Sequence, residues 1–319
     1  MKIKEVVSTI KGQGFGKLLK YYHHYNQLGI VCFFAPFLYK TKVGQEQLRE
    51  IISNRIQNKF RKKFLNHSFC IQEDMEGNVN KALVGRDIIW TAWFQGIEDA
   101  PTLVKLNYTL LSECSNKEVI LITKKNIKEY VSLPRKIYEK WESGAIPDTQ
   151  FSDILRIELL ATYGGVWMDA TVAVTKSLPY YFDDDTFLYQ CLKPGKNGLA
   201  LPISSWAIAA KNNNELILRT RDLILAYWLA TEKNFEYFVF HRLLCIAMEE
   251  KKKITLNITP VDNSQPHALL IASKNKVLSR DEIKNLIELS SVHKLSYKMA
   301  NKIQEQNYKS ILNVMSDLK

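Results

Sequence analysis

Between Glu46 and Phe64 the apolar residues Leu48, Ile51, Ile52, Ile56 and Phe60 recur at the spacing of one helix face. The segment Gly77-Asn78-Val79-Asn80 then breaks the pattern as a turn. Beyond it, short apolar runs alternate with helical stretches. Strands are predicted at Asp87–Trp93, Val119–Thr123, Val166–Met168, Phe187–Gln190, Ser205–Ala210 and Ile254–Asn257. Helices are predicted at Pro101–Cys114, Lys125–Val131, Pro134–Ser143, Glu215–Thr231, Asn234–Glu250, Arg280–Ile287 and Met299–Leu318, with a loop over Gly144–Gln150. This alternation predicts an α/β domain over residues 81–319, with a mixed, mostly parallel central sheet and helices on both faces. A helical extension over residues 1–80 precedes it.

The stretch from Phe151 to Val174 joins a helix to a strand and ends in an acid. Ser152 is placed to cap the helix, and Asp153 follows in the first turn, where the helix dipole favours negative charge. Ile154, Leu155, Ile157, Leu159 and Leu160 form the buried face, and Gly164-Gly165 end the helix. Val166-Trp167-Met168 then delivers Asp169 to the strand tip, the position where ligands bind in open α/β sheets. Asp153 and Arg156 share one side of the helix. Spacing alone fits a surface ion pair and a loop aspartate equally well.

The pattern SDxxRxxxLxxxGGxWxDAT over residues 152–171 resembles the core of nucleotide-sugar glycosyltransferases with a GT-A fold, nearest the capsular polysaccharide synthesis branch of glycosyltransferase family 32. The likeness extends upstream through Ile88–Gly96, Val119–Thr123 and Leu133-Pro134, and downstream to Ser177-Leu178-Pro179. Weaker landmarks are Phe238–His241, Pro266-His267 and His293-Lys294-Leu295. What the resemblance implies is a retaining transferase that moves a sugar from a nucleotide donor, UDP-hexose or UDP-HexNAc before GDP-mannose, to a saccharide acceptor. The acceptor class it suggests is an undecaprenyl-diphosphate-linked intermediate of a surface polysaccharide. It implies that Trp90 or Trp93 stacks the base, that Gln95-Gly96 bring backbone close to the nucleotide, and that Asp153 and Arg156 bind ribose, sugar or diphosphate. Asp169 becomes the ligand of Mn²⁺ or Mg²⁺, although Asp169-Ala170-Thr171 has a hydroxyl where the wider superfamily has a second acid. His241, His267 or His293 is then a further ligand, His241 first, although a lone histidine is more often structural. Asp183-Asp184-Asp185 reads as a solvated loop, and Ser205-Trp206 are candidates for the acceptor side. A hydrolase on the same site, or a catalytically silent scaffold subunit of a polysaccharide-assembly complex, are the rival readings.

Charge changes the picture at one end. The net charge is +11, and residues 1–80 hold 13 Lys and Arg against 6 Asp and Glu. Within them, Leu28 to Tyr39 form an apolar run of 12 residues, short of the roughly 20 that span a bilayer. The run lacks the position and cleavage site of a signal peptide. Lys17, Lys20, Lys40, Lys42 and Arg61-Lys62-Lys63 flank it, which suits an anionic membrane face; a helix buried on the catalytic domain fits equally. No nucleic-acid-binding signature accompanies the basic charge. Five scattered cysteines without CxxC spacing argue for a reducing compartment, so a cytoplasmic location, peripheral to the membrane, is expected.

Overall fold

A computed structural model describes residues 15–318 apart from 72, 194, 196 and 197; the side chains of Phe15 and Lys17 lie outside the described set. The chain opens with three helices, α1 (Phe15–His24), α2 (Leu28–Leu38) and α3 (Lys42–Phe64). Then come β1 (Met75–Glu76), β2 (Ile88–Ala92), α4 (Thr102–Cys114), β3 (Glu118–Ile122), α5 (Ile127–Tyr130), β4 (Leu133–Pro134), α6 (Arg135–Glu142) and α7 (Asp148–Tyr163). The second half runs β5 (Gly165–Met168), β6 (Val172–Val174), β7 (Thr186–Gln190), β8 (Ile203–Ala210), α8 (Glu215–Ala230) and α9 (Val239–Glu250). It closes with α10 (Lys252–Leu256), α11 (Ala268–Asn275), α12 (Arg280–Glu288), β9 (Val292–Lys294) and α13 (Lys302–Ser316).

The central sheet has the order β3-β2-β5-β8-β7. β2 is parallel to both β3 and β5, whereas β5/β8 and β8/β7 are antiparallel. The sheet is therefore mixed, with β8 alone reversed. From β2 the chain steps outward to β3 and then returns to β5 on the other side. The carboxyl ends of β2 and β5 thus flank a switch point, where a crevice opens. Neighbouring side chains alternate across the sheet. Ile88, Trp90 and Trp167 face the layer that holds α7, α8 and α9, while Ile89, Val166 and Met168 face Phe187, Tyr189 and Trp206.

Helix α3 buries Leu48, Ile52, Ile56, Phe60 and Phe64 in that first layer. Phe60 stacks on Tyr227 at 5.8 Å, and Gln57 Nε2 donates to Arg242 O at 3.1 Å. Residues 42–64 thus share the core of the sheet domain. Helix α2, the 28–39 run, packs Val31, Phe34, Ala35 and Leu38 half-buried against that core and leaves its other side exposed. Among the described residues no helix is long and apolar enough to cross a membrane.

Three sequence expectations need correction. The signature helix starts at Asp148, inside the expected loop, with Pro147 at its N-cap; Ser152 lies in the second turn and donates to Thr149 O at 2.7 Å. Pro147 supplies a fixed entry torsion, and its carbonyl accepts from Gln150 N and Phe151 N, both at 2.9 Å. Ile254–Asn257 is not a strand: residues 254–256 end the short helix α10 and Asn257 caps it, while Thr255 Oγ1 donates back to Met248 O and Lys251 O. The helix expected from Asn234 begins only at Val239, because the Asn234 side chain accepts from Glu236 N and Tyr227 Oη and holds 234–238 as a loop.

Candidate active site

The helix-to-strand corner that builds the site depends on two glycines. Gly164 and Gly165 have φ +74° and +92°, and a Cβ on Gly165 would stand 2.4 Å from Ile88 O. Only glycine combines that torsion with so close a backbone approach. The corner sets β5 against β2, with Trp90 Nε1 donating to Gly164 O at 2.9 Å. One helical face of α7 and the tip of β5 then meet in a cleft. Trp93, Asp153, Arg156, Trp167, Asp169, Thr171, Ser205, Tyr237, His241 and Tyr297 line it.

Arg156 is the hub. Its side chain is only 4% exposed, and it pairs with Asp153 at 2.7 Å and with Asp169 Oδ1 at 3.0 Å. The guanidinium lies over Trp167 at 5.1 Å and Phe240 at 5.2 Å, contacts that favour a cation in an apolar setting. Asp169 also accepts from Trp167 Nε1 at 2.9 Å through Oδ1, and from Lys294 Nζ at 2.8 Å through Oδ2. Lys294 donates in addition to Thr171 Oγ1 at 2.6 Å. It reaches the site because β9 pairs antiparallel with β6, with Val172 opposite Lys294.

The charges set the protonation. Burial pushes Asp153 up to about 6, against the pull of Arg156. Burial also opposes ionisation of Asp169, but Lys294 and Arg156 outweigh it and hold this carboxyl below the usual range. Burial and the Arg156 charge lower His241 to about 4, so its ring is neutral at physiological pH. Trp93 Nε1, Arg156 Nε and His241 Nδ1 are closed off without a hydrogen-bond partner in the chain. Such groups ordinarily cost about 1–3 kcal/mol each.

The sequence-derived candidates separate clearly. Asp153, Arg156, Asp169, His241 and Trp93 come together in the cleft. Trp90 does not: it is fully buried beneath the sheet against Tyr163 and Tyr130, so it is a core residue and stacks no base. Gln95 and Gly96 also lie outside the lining. Gln95 Nε2 donates to Asp148 Oδ2 at 3.3 Å, and Gly96, at φ +92°, turns the chain after β2. Ser205 lines the cleft, but Trp206 stacks on Tyr189 at 4.5 Å on the opposite face of the sheet. His293 is buried against Thr175 Oγ1 at 3.2 Å, and His267 Nδ1 meets Asn263 O at 2.6 Å. The 183–185 acids are held by Lys117, Thr259 and Lys211.

The donor set does not fit a divalent cation as it stands. Such an ion takes several oxygen ligands. Both oxygens of Asp169 are engaged by cationic or N–H donors, and His241, half-buried in the cleft lining, is the one histidine there. Among the described residues no three His, Cys, Asp or Glu side chains gather around a possible ion position. Lys294, Tyr237 and Tyr297 were not singled out as site residues from sequence. Lys294 stands 125 positions from its partner Asp169, and only the β6/β9 pairing brings the two together.

An α/β protein with a charged cleft at the switch point of its sheet is thus the class that fold and site define. Residues 35–314 match the family model described as "Capsular polysaccharide synthesis protein", and the chain belongs to that family. It is also similar to the "O-glycosyltransferase PaGT" of Phomopsis amygdali, 26% identical over 159 residues, which cover 44% of this chain and 38% of that protein. A solved structure titled "PaToxG Glycosyltransferase" aligns over 85% of this chain and 98% of its own at 13% identity, with a TM-score of 0.38, too low to carry an argument.

Proposed function

We propose that the chain is a retaining glycosyltransferase of the GT-A type. In this reading it moves a hexose or N-acetylhexosamine from a UDP-sugar to a saccharide acceptor for surface-polysaccharide synthesis. The observation that carries it is the Asp153–Arg156–Asp169 constellation at the sheet's switch point, in a chain of the capsular polysaccharide synthesis family. The similarity to an O-glycosyltransferase supports the same reaction class.

The chemistry follows from the charges. The bond from sugar C1 to the β-phosphate oxygen breaks, and its electron pair goes to that phosphate. The acceptor hydroxyl oxygen bonds to C1 on the same face and passes its proton to the departing phosphate. Negative charge therefore grows on the diphosphate, and preorganised cations lower the barrier most when they face that position. Arg156 is fixed by two carboxylates and two aromatic rings, so little reorganisation is needed. Asp153, ionised at neutral pH, accepts from ribose or sugar hydroxyls. Trp93, edge-on to Tyr297 at 5.7 Å, offers the base a stacking surface.

Helix α2 supports a lipid-linked acceptor at an anionic membrane. Gly29, Cys32, Phe33, Pro36 and Phe37 form one exposed apolar stripe, and Lys40 continues it. Lys20 and Lys42 are also exposed nearby in sequence. The preceding helix connects to the cleft: Tyr21 Oη donates to Glu236 Oε2 at 3.0 Å, and His24 stacks on Phe235 at 4.6 Å. Tyr237, the next residue, lines the cleft. Helix α1, directly before the stripe, thus packs beside the segment that ends in the cleft lining.

The test is a panel of UDP-glucose, UDP-galactose and their N-acetyl forms with lipid-linked oligosaccharide, read by UDP release and by NMR of the product anomer. An α-linked product from one donor is expected. Release of free sugar without transfer favours a hydrolase, and no turnover of any donor contradicts the reading.

A further inference from the structure

The cleft contains positive charge where a transferase of this kind is expected to need a metal. Asp169 is the only acid at the strand tip; the position two residues on is Thr171. Its Oδ2 is taken by the Lys294 ammonium and its Oδ1 by Arg156 and Trp167. The Lys294 side chain is 18% exposed, and Asp169 and Thr171, to which it donates, both line the cleft. Of its three N–H donors, two are directed at Asp169 and Thr171. The Thr171 hydroxyl, where a second acid would have gathered a cation, serves here as an acceptor that helps fix the ammonium. The four charges also balance: Asp153 and Asp169 against Arg156 and Lys294. An incoming diphosphate then adds negative charge that the two cations can share, whereas a metal seated on Asp169 has first to displace Lys294.

We propose that Lys294, together with Arg156, supplies the charge stabilisation of the leaving diphosphate, and that this chain works without a resident divalent metal. The inference rests on the transferase reading for its chemistry, yet its ion-binding part can be tested apart from it. Lys294 meets the β-phosphate oxygen as the bond to C1 breaks, while Asp169 holds the ammonium in place. Lys294 lies at the end of β9, whose pairing is made by backbone, so substitution there leaves the strand's hydrogen bonds intact.

Two measurements on the full chain decide the matter. In the first, free Mn²⁺ is followed by electron paramagnetic resonance as protein is added, for wild type, Lys294→Gln and Lys294→Gln/Asp169→Asn. Wild type is expected to leave Mn²⁺ free. Lys294→Gln, which frees Asp169 Oδ2, is expected to raise Mn²⁺ affinity above that of wild type, and the double variant to lose that gain. Stoichiometric Mn²⁺ binding by wild type that Asp169→Asn abolishes overturns the proposal. In the second, UDP affinity is measured in EDTA and in Mn²⁺. Wild type is expected to bind equally in both, Lys294→Gln to lose at least tenfold in EDTA, and Lys294→Arg to keep most of the affinity. Loss of wild-type binding in EDTA overturns the proposal. Absence of UDP binding in every condition refutes the transferase reading, and the Mn²⁺ titration still decides whether Lys294 occupies the cation position.

Discussion

Replacing Phe33 and Phe37 by serine should release the protein from anionic membranes without unfolding it. The two side chains are 65% and 74% exposed, and their rings lie 6.3 Å apart on the outer stripe of α2. Full burial of a phenylalanine gains about 1.5–3 kcal/mol. Scaled by those exposures, each ring has about 1–2 kcal/mol left to gain on entering the interface, about 2–4 kcal/mol for the pair. The double variant should therefore partition roughly 30- to 1000-fold less well. Basic residues near the surface add about 1 kcal/mol each, and salt weakens that part. The assay is co-sedimentation with phosphatidylglycerol-containing vesicles at low and high salt, with thermal unfolding as the folding control. Two results refute the reasoning. One is wild type that stays in the supernatant with anionic vesicles at low salt. The other is a folded double variant that sediments as wild type does.

Four further outcomes follow from the geometry. Asp169→Asn removes the anion between Arg156 and Lys294, and transfer should fall about 100-fold through misplacement of both cations, read as kcat at saturating donor. Donor binding should weaken as pH falls through about 6, where Asp153 takes up a proton and its pair with Arg156 is lost; Asp153→Asn should erase that inflection in a calorimetric pH series. Because the folded value of Asp153 is raised above its unfolded value, acidification from pH 7 to 5 strengthens this group's contribution to stability while binding drops, so melting and affinity should diverge. Gly165→Ala puts a Cβ against Ile88 O at φ +92° and should cost about 3 kcal/mol or more in chemical denaturation. Arg242→Met strands Glu236, now paired with it at 2.8 Å in full burial, and should cost about 3–5 kcal/mol by the same measure.

The part of the site that lies close together in sequence was legible there. The apolar periodicity of α7, its glycine ending and the acid after β5 are all local properties, and each sets the position of the next. What failed had tertiary causes. Ile254 to Asn257 alternate like a strand, yet they follow α9 directly, and the Thr255 hydroxyl closes a helical turn on that helix's last carbonyls. Trp90 and Trp93 were equivalent in sequence; Trp90 lies within β2 and enters the core, whereas Trp93 follows the strand's end and stands by the cleft. Two outcomes for the 28–39 run were open from composition, and both have support: Val31, Phe34, Ala35 and Leu38 pack against the core, while Phe33 and Phe37 stay exposed. Lys294 was beyond local reasoning, because its meaning depends on which strand lies opposite.

The measurement closest to the central claim is calorimetric titration of the wild-type chain and Arg156→Met with UDP and with GDP, in EDTA and in Mn²⁺. The account predicts that UDP binds the wild type in both conditions, that GDP binds more weakly, and that Arg156→Met loses the heat while remaining folded by circular dichroism. Silence toward both nucleotides in both conditions would contradict it and leave a polysaccharide-assembly subunit without transferase activity as the better description.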